Sequence, residues 1–531
     1  MTRKFSALIL LLILTFAGFV YFYRLNSIPN GFYVDEATIA YNAISILQTG
    51  KDIFAQQYPI LFRLLGSYTP PLFIYLSVPF ITFFGMEPFI FRSISAISAL
   101  VSIVFFFFLI KKLNIFKSSI TLFFATFFYA ISPWLVFNAR LGYEVTLAYL
   151  LFNIGIYFVY IAFKNPKNLI WGSIFLSLST YAAHTQRYLV PIFLTFYFLV
   201  FRKLVFQKRN LRFLKLSFLV IILLQIPNFL VLNTPAFWVK NERLTEQNSS
   251  QVVSSIINQT FTYISPRNLF YELSDIDMQH TIPGISVMYN FLVIPFLIGI
   301  YLLFTSIKKT GYKFVLLLFV TSLIPAVFSG QFISIQRALP FLLPLIIVIG
   351  LGLDFIWIKL NWRYALLTFI LLSLYSLILL YRSYFVLFPI ERATAWNYGY
   401  SEVSDFIKRN PNSSFVIDNT RNPRNYILLL YYLNYPPAIY QKEVSPIYKN
   451  DYYRSLPPET SYRFSNIEVR AFEWKKDPCV KQILVGDELS ISEGQAKEHK
   501  LTEAYELKDE QGKVIFKGFE TNPELKCRGN I

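Results

Sequence analysis

Cysteine is almost absent from this chain. Only Cys479 and Cys527 occur in 531 residues, both near the carboxy terminus. Two are too few for a thiolate zinc site or a disulfide framework, and whether they bridge is left open by the sequence. Charge is also scarce: 15% of residues are Asp, Glu, Lys or Arg, far fewer than a soluble protein of this length carries. Repeats with a period of about 20–50 residues are lacking, which argues against a solenoid or propeller. Alternating strands of the membrane-barrel kind are lacking too. No small-x-small cleavage site follows the apolar run in "MTRKFSALILLLILTFAGFVYFYRL". The run is therefore read as an uncleaved first span, not a signal peptide.

Apolar sequence dominates instead, with 55% hydrophobic and 19% aromatic residues. Several runs reach the roughly 20 residues that cross a bilayer as a helix. Spans are expected at 6–23, 89–110, 118–137, 145–163, 168–183, 188–205, 214–232, 286–307, 313–329, 338–357 and 363–383. The segment 71–85, "PLFIYLSVPFITFFG", begins at a Pro-Pro pair and contains Pro79; it is short for a crossing.

Charge parity resolves it. If 71–85 does not cross, Lys111, Lys112, Lys164, Lys167, Lys308 and Lys309 all fall in short loops on one side, together with Arg3 and Lys4. Those loops contain no acid. Asp35, Glu36, Asp52, Glu87, Glu144 and Glu272 then fall on the other side. The positive-inside rule makes the basic side cytoplasmic. The fold class is thus a polytopic α-helical membrane protein with about eleven crossings, the amino terminus inside and the carboxy terminus outside, and the plasma (inner) membrane is the expected location. The +18 net charge is accounted for by these loops, and no nucleic-acid partner is expected. The membrane domain is 1–383, with outer segments at 24–88 and 233–285. The tail 384–531 has no spanning run and is expected to be a small extracytoplasmic α/β domain, with short strands in "SSFVIDN", "KQILVGD" and "KVIFKGFE".

Polar residues gather at the outer ends of the spans. "GFYVDEATIAYNA" carries Asp35 and Glu36; "FNARLGYEV" carries Asn138, Arg140 and Glu144; "YAAHTQRYLVP" carries His184, Gln186 and Arg187; "FSGQFISIQRALPFLLP" carries Gln331, Gln336 and Arg337. Acids and arginines at one membrane face suit transfer from a lipid-linked phosphate. Guanidinium forks bind and neutralise phosphate, and a carboxylate takes the proton of an incoming hydroxyl. Plainer readings stand beside these. Asp35 caps a helix over 36–47, Glu36 serves the helix dipole, and the arginines snorkel to the interface. Glu144 pairs with Arg140 one helical turn away, and His184 is an interfacial histidine. "DIDMQH" (Asp275, Asp277, His280) has metal-capable residue types without tight ligand spacing.

At these residues the sequence resembles the GT-C membrane glycosyltransferases. The branch it resembles comprises bacterial relatives of protein O-mannosyltransferases and of the lipid A aminoarabinose transferase (glycosyltransferase families 39 and 83). The resemblance rests on Asp35–Glu36 after the first helix, "YTPPLFIYL" at 68–76, "FGMEPFIFRSISAISAL" at 84–100, "NARLGYEVTLAYLL" at 138–151 and "RALPFLLPLIIVIGLGL" at 337–353. It covers about residues 1–355.

The resemblance implies a seven-span module and a large first outer loop with interfacial helices. It implies inverting transfer of a sugar from a polyprenyl-phosphate donor to an acceptor lipid, glycan or protein. By this resemblance Asp35 is the general base and Glu36 its neighbouring acid. Glu144 stands where relatives usually carry Asp. Arg187 and Arg337, with Arg140, are the donor-phosphate residues, and His184, Tyr68 and Gln336 are other pocket residues. No cofactor is required; a divalent metal is compatible. Three rival functions remain: a glycan polymerase or ligase using a lipid-linked glycan, a transporter, and a membrane scaffold.

Overall fold

The computed structural model describes residues 3–64, 66–238, 249–273, 278–329, 333–448, 452–454 and 462–527. Asp275, Asp277 and Gln331 lie outside the described residues. In the first half of the chain the longer helices are α1 (Arg3–Phe22), α2 (Val34–Thr49), α3 (Leu72–Phe84), α4 (Pro88–Leu113), α5 (Ser119–Ile131), α6 (Pro133–Ala139), α7 (Val145–Ile161), α8 (Asn168–Ser179), α9 (His184–Val200) and α10 (Leu211–Val231). The second half contributes α11 (Ser249–Ile264), α12 (Val293–Thr305), α13 (Thr310–Thr321), α14 (Leu342–Lys359), α15 (Trp362–Leu380), α16 (Tyr400–Arg409), α17 (Tyr426–Tyr432) and α18 (Pro437–Tyr448).

The structure is predominantly helical, and several of its helices are long and apolar. By length and apolarity alone, five described helical stretches can span a bilayer: 88–113, 208–231, 310–327, 339–359 and 362–391. The pair α5–α6 makes a sixth if it is one span, bent by 48°. Pro133 lacks the amide hydrogen that would continue α5, and the Ser132 hydroxyl accepts Leu135 N–H to start α6. Helix α3 has 13 residues, about 20 Å of rise, which is short of the hydrocarbon thickness.

Two compact units divide the chain. One comprises Met1–Ile28, Thr69–Leu76 and Glu87–Phe388; the other comprises Pro29–Tyr68, Ser77–Met86 and Pro389–Ile531. The partition departs from a cut at 383/384, because most of the first outer loop goes with the tail.

The first unit is a helix bundle whose backbones approach closely at small residues. A Cβ on Gly299 of α12 would lie 1.9 Å from the Val348 carbonyl oxygen of α14, and one on Gly352 would lie 1.8 Å from that of Pro295. Only glycine permits that crossing. Some polar groups inside the bundle bond to one another: Tyr129 donates to the Tyr149 hydroxyl at 2.9 Å, and Asn153 donates to Ser102 at 2.7 Å. Asp354, in the carboxy-terminal part of α14, accepts the backbone N–H of Lys117 and Ser118 at 2.8 and 2.9 Å. It thereby satisfies donors ahead of α5 that have no helical acceptor.

The second unit contains a six-stranded sheet in the order β4 (Tyr462–Phe464), β5 (Ile467–Val469), β3 (Phe415–Ile417), β6 (Ile483–Asp487), β8 (Val514–Glu520), β7 (Thr502–Lys508). The short pair β1 (Phe62–Leu64) and β2 (Ser67–Thr69) lies earlier in the chain. The central β3 is parallel to both β5 and β6, and the outer pairings are antiparallel. β3, β6 and β8 fall in the three strand-like runs of the tail. Cys479 and Cys527 are bridged, with Cα atoms 5.7 Å apart.

Helix α2 belongs to this unit because the tail supplies its partners. The Gln441 amide donates to Ser45 Oγ, Thr49 Oγ1 and the Asp52 carbonyl, each at 2.9 Å. The Tyr41 hydroxyl donates to the Tyr435 carbonyl at 2.8 Å. Asp52 itself is fully buried. One carboxylate oxygen accepts the N–H groups of Phe54 and Gln56 at 2.9 and 2.8 Å, and the other accepts the Tyr452 hydroxyl.

Burial pushes the Asp52 carboxyl up to about 7. Its hydrogen bonds to Tyr452, Gln56 and Phe54 and the nearby Arg63 charge oppose the shift without cancelling it. In the unfolded chain the group titrates near 3.8, so the stability tied to its neutral form is complete below that pH and is lost as pH rises through about 7. Limited proteolysis of the tail is therefore expected to be slower at pH 5 than at pH 8 in the wild type, with that difference removed in Asp52→Asn. Cys527→Ser opens a bridge spanning 48 residues, and is expected to destabilise the tail by about 2–4 kcal/mol in denaturant titrations.

Candidate active site

The acidic pair sits at the start of α2. The chain enters it through Gly31, whose φ of +111° is a conformation natural to glycine. A Cβ there would come within 2.2 Å of the Trp396 carbonyl oxygen. Asn397 donates to the Phe32 carbonyl at 3.5 Å, and the Tyr33 and Trp396 rings lie 5.4 Å apart. The tail segment around 396 thus fixes where α2 begins.

Tyr33 is the N-cap residue and Val34 the first helical residue. This separates the two acids. Glu36, fully buried, accepts the Tyr33 N–H through Oε2 at 3.1 Å, the reciprocal half of a capping box. Asp35 lies inside the first turn and is not the cap, so the capping reading falls to Glu36. The Asp35 side chain is partly exposed at a helix end whose dipole favours its anion.

The first unit holds the other candidates, and a chain of hydrogen bonds links the segments that carry most of them. Thr69 donates to Glu144 Oε1 at 3.4 Å. Leu72 N–H donates to the Tyr181 carbonyl at 2.9 Å. Gln336 donates to the Tyr143 hydroxyl, and Trp134 Nε1 donates to the Ile335 carbonyl at 2.6 Å. The turns bearing Glu144, His184–Arg187 and Gln336–Arg337 are therefore stitched together directly or through residues 69–72. Arg337 Nη1 donates to the Ser329 carbonyl at 3.3 Å.

Arg187, 7% exposed, lies in the first turn of α9. Its Nε donates to the Thr180 carbonyl at 3.3 Å, and Nη1 lies 3.4 Å from His184 Nδ1. The Phe237 ring covers one guanidinium face at 4.9 Å. Nη2 is buried with no hydrogen-bond partner among the described residues, which leaves an edge suited to an anion.

Two of the candidates have their side chains engaged in the core. Arg140 is fully buried and turned toward the end of α1. Nη1 donates to the carbonyls of Val20 and Tyr21, both at 2.8 Å, and Nη2 to that of Ile28 at 2.9 Å. The carbonyls of Val20 and Tyr21 are ones that the end of α1 leaves without internal partners, and that of Ile28 belongs to the loop that follows. The Tyr384 and Phe385 rings lie 5.3 and 4.9 Å from its guanidinium carbon. Its spacing to Glu144 is not one helical turn, because α6 ends at Ala139 and α7 starts at Val145. Tyr68 is likewise core, 1% exposed, with its hydroxyl on the Tyr452 carbonyl and its ring 6.1 Å from that of Tyr452.

His280 lies 6.4 Å from the Phe137 ring and helps line a largely apolar cleft with Trp134 and Ile335. Among the described residues no three metal-capable side chains cluster. Sequence reading missed Thr69, Tyr143, Thr180 and Trp134, which carry the links between turns. It also missed Gln225 and Asn228, whose signal was a polar pair three residues apart inside an apolar span.

No protein-family model and no curated protein sequence matches the chain. Solved structures do. ArnT from Cupriavidus metallidurans bound to undecaprenyl phosphate is 13% identical, with a TM-score of 0.56 over 97% of this chain and 98% of that one. Its apo state gives 14% and 0.52 over 99% of both chains. The oligosaccharyltransferase AglB from Archaeoglobus fulgidus, in complex with an inhibitory peptide and a dolichol-phosphate, gives 13% and 0.51 over 96% of this chain and 74% of that one. The fold of this chain is that of the GT-C membrane glycosyltransferases.

Proposed function

We propose that the protein is an integral-membrane glycosyltransferase that moves a sugar from a polyprenyl-phosphate donor to an acceptor hydroxyl, with inversion at the anomeric carbon. The observation that carries this reading is the end-to-end fold likeness to ArnT, solved with undecaprenyl phosphate. The open, buried edge of Arg187 adds to it.

In this reading Arg187 and Arg337 hold the donor phosphate. The acceptor oxygen attacks the anomeric carbon as the bond from that carbon to the phosphate oxygen breaks. Asp35 takes the acceptor proton as general base. The departing phosphate keeps the bond's electron pair, and the guanidinium groups stabilise the charge. No step runs through a metal ion. Glu144, held by Thr69, is assigned to the acceptor, and His184 orients Arg187. The acceptor is a lipid, a glycan or a protein. The positive-inside pattern and the Cys479–Cys527 bridge support an inner-membrane protein with an extracytoplasmic tail, where disulfides persist.

A second reading, transfer of a preassembled glycan, is favoured by the likeness to an oligosaccharyltransferase. The product's mass shift separates it from single-sugar transfer.

The test incubates purified protein with acceptor extract and a panel of polyprenyl-phosphate sugars, scoring free polyprenyl phosphate. Asp35→Asn is expected to slow release about 100-fold or more. Glu36→Gln is expected to act chiefly on stability, by about 1 kcal/mol. Near-normal transfer by Asp35→Asn refutes the base assignment, and intact function when Asp35 and Glu36 are both substituted favours the scaffold.

A further inference from the structure

Around Thr180, at the end of α8, an incomplete polar network joins α8, α9 and α10. The Thr180 carbonyl accepts Arg187 Nε. Its hydroxyl accepts from Gln225 Nε2 at 3.1 Å and Asn228 Nδ2 at 3.2 Å, both on α10. Asn228 Nδ2 also donates to Gln225 Oε1 at 2.7 Å. Both amide hydrogens of Asn228 are thereby used, yet its Oδ1 is buried without a partner among the described residues, in a residue 5% exposed.

Two groups that share Thr180 are thus left open: an acceptor, Asn228 Oδ1, and a cationic donor, Arg187 Nη2. A network serving only to hold helices together gains by closing, since each buried orphan carries a desolvation cost. The open pair is opposite in kind. A ligand that presents both a hydroxyl donor and an anionic acceptor would complete the two, and a sugar attached to a phosphate is such a ligand. Phe237 occupies a face of the guanidinium, and a face contact leaves the in-plane Nη2 hydrogens available to the phosphate.

We propose that Asn228 is a specificity-determining residue, accepting a hydrogen bond from a hydroxyl of the sugar whose phosphate Arg187 holds. This rests on the donor reading above. Thr180 and Gln225 are positioning residues, because they orient Asn228 and Arg187 without meeting the sugar.

The test measures binding to the full-length protein of undecaprenyl phosphate and of its mannosyl, glucosyl and arabinosyl derivatives. In the wild type at least one glycosylated form is expected to bind more tightly than the bare phosphate. Asn228→Leu is expected to weaken that form about tenfold, the loss of one buried hydrogen bond, and to leave the bare phosphate unchanged. Arg187→Ala is expected to weaken every form.

If Asn228→Leu changes neither ligand, or weakens both equally, the specificity role is overturned while the donor reading stands. If no sugar tightens binding in the wild type, the role is likewise overturned. If Arg187→Ala leaves undecaprenyl phosphate binding intact, the donor-phosphate reading itself fails. Should Asn228→Leu fail to fold, as read by gel filtration in detergent, Asn228→Ala removes the same acceptor with less bulk and the same outcomes apply.

Discussion

The amide of Gln441 is the footing of the acidic helix. Three acceptors on or just after α2 converge on that one group, and Tyr41 adds a bond to the Tyr435 carbonyl. At the other end of α2, Gly31 lies against the Trp396 backbone. An isolated helix of this length is marginal in water. Its direction and starting residue are set by partners several hundred positions away. Asp35 is therefore held by the tail, even though it follows the first span directly in sequence.

The arginines show how one residue type reaches different ends. Arg140 gives both terminal nitrogens to backbone carbonyls and keeps only Nε without a hydrogen-bond partner among the described residues. Arg187 meets one carbonyl, one histidine nitrogen and one aromatic face, and a donor remains. The difference lies in what the adjoining turns offer, not in the side chain. Spacing along a sequence does not report it, which is why both residues looked alike among the outer turns.

Much of the architecture was legible in the sequence because its determinants are local. Apolar runs mark helices, and alternating or continuous β-branched runs mark β3, β6 and β8, whereas the break at Pro133 falls inside the single span expected at 118–137. The separate roles of Asp35 and Glu36 were not legible, because they turn on which residue is the first helical one. A shift of two positions moved the cap from Asp35 to Tyr33. The grouping of the first outer loop with the tail was also hidden. Glutamine at 441 and tyrosine at 452 are unremarkable in sequence and acquire meaning only through long-range pairing. Asn228 carried a faint signal as a polar residue in a span, where bonding between helices is the ordinary explanation.

The 394 positions between Tyr41 and Tyr435 have a consequence for biosynthesis. At about 5–20 residues per second, the ribosome reaches the partner segment of that contact roughly 20–80 s after it has made Tyr41. Throughout that interval α2 has left the ribosome without the surface it packs on. Insertion of the spans can proceed meanwhile, but the acidic helix acquires its final setting only when translation is nearly over. A nascent chain cut short before residue 441 would reach the membrane with its spans in order and its first loop unanchored.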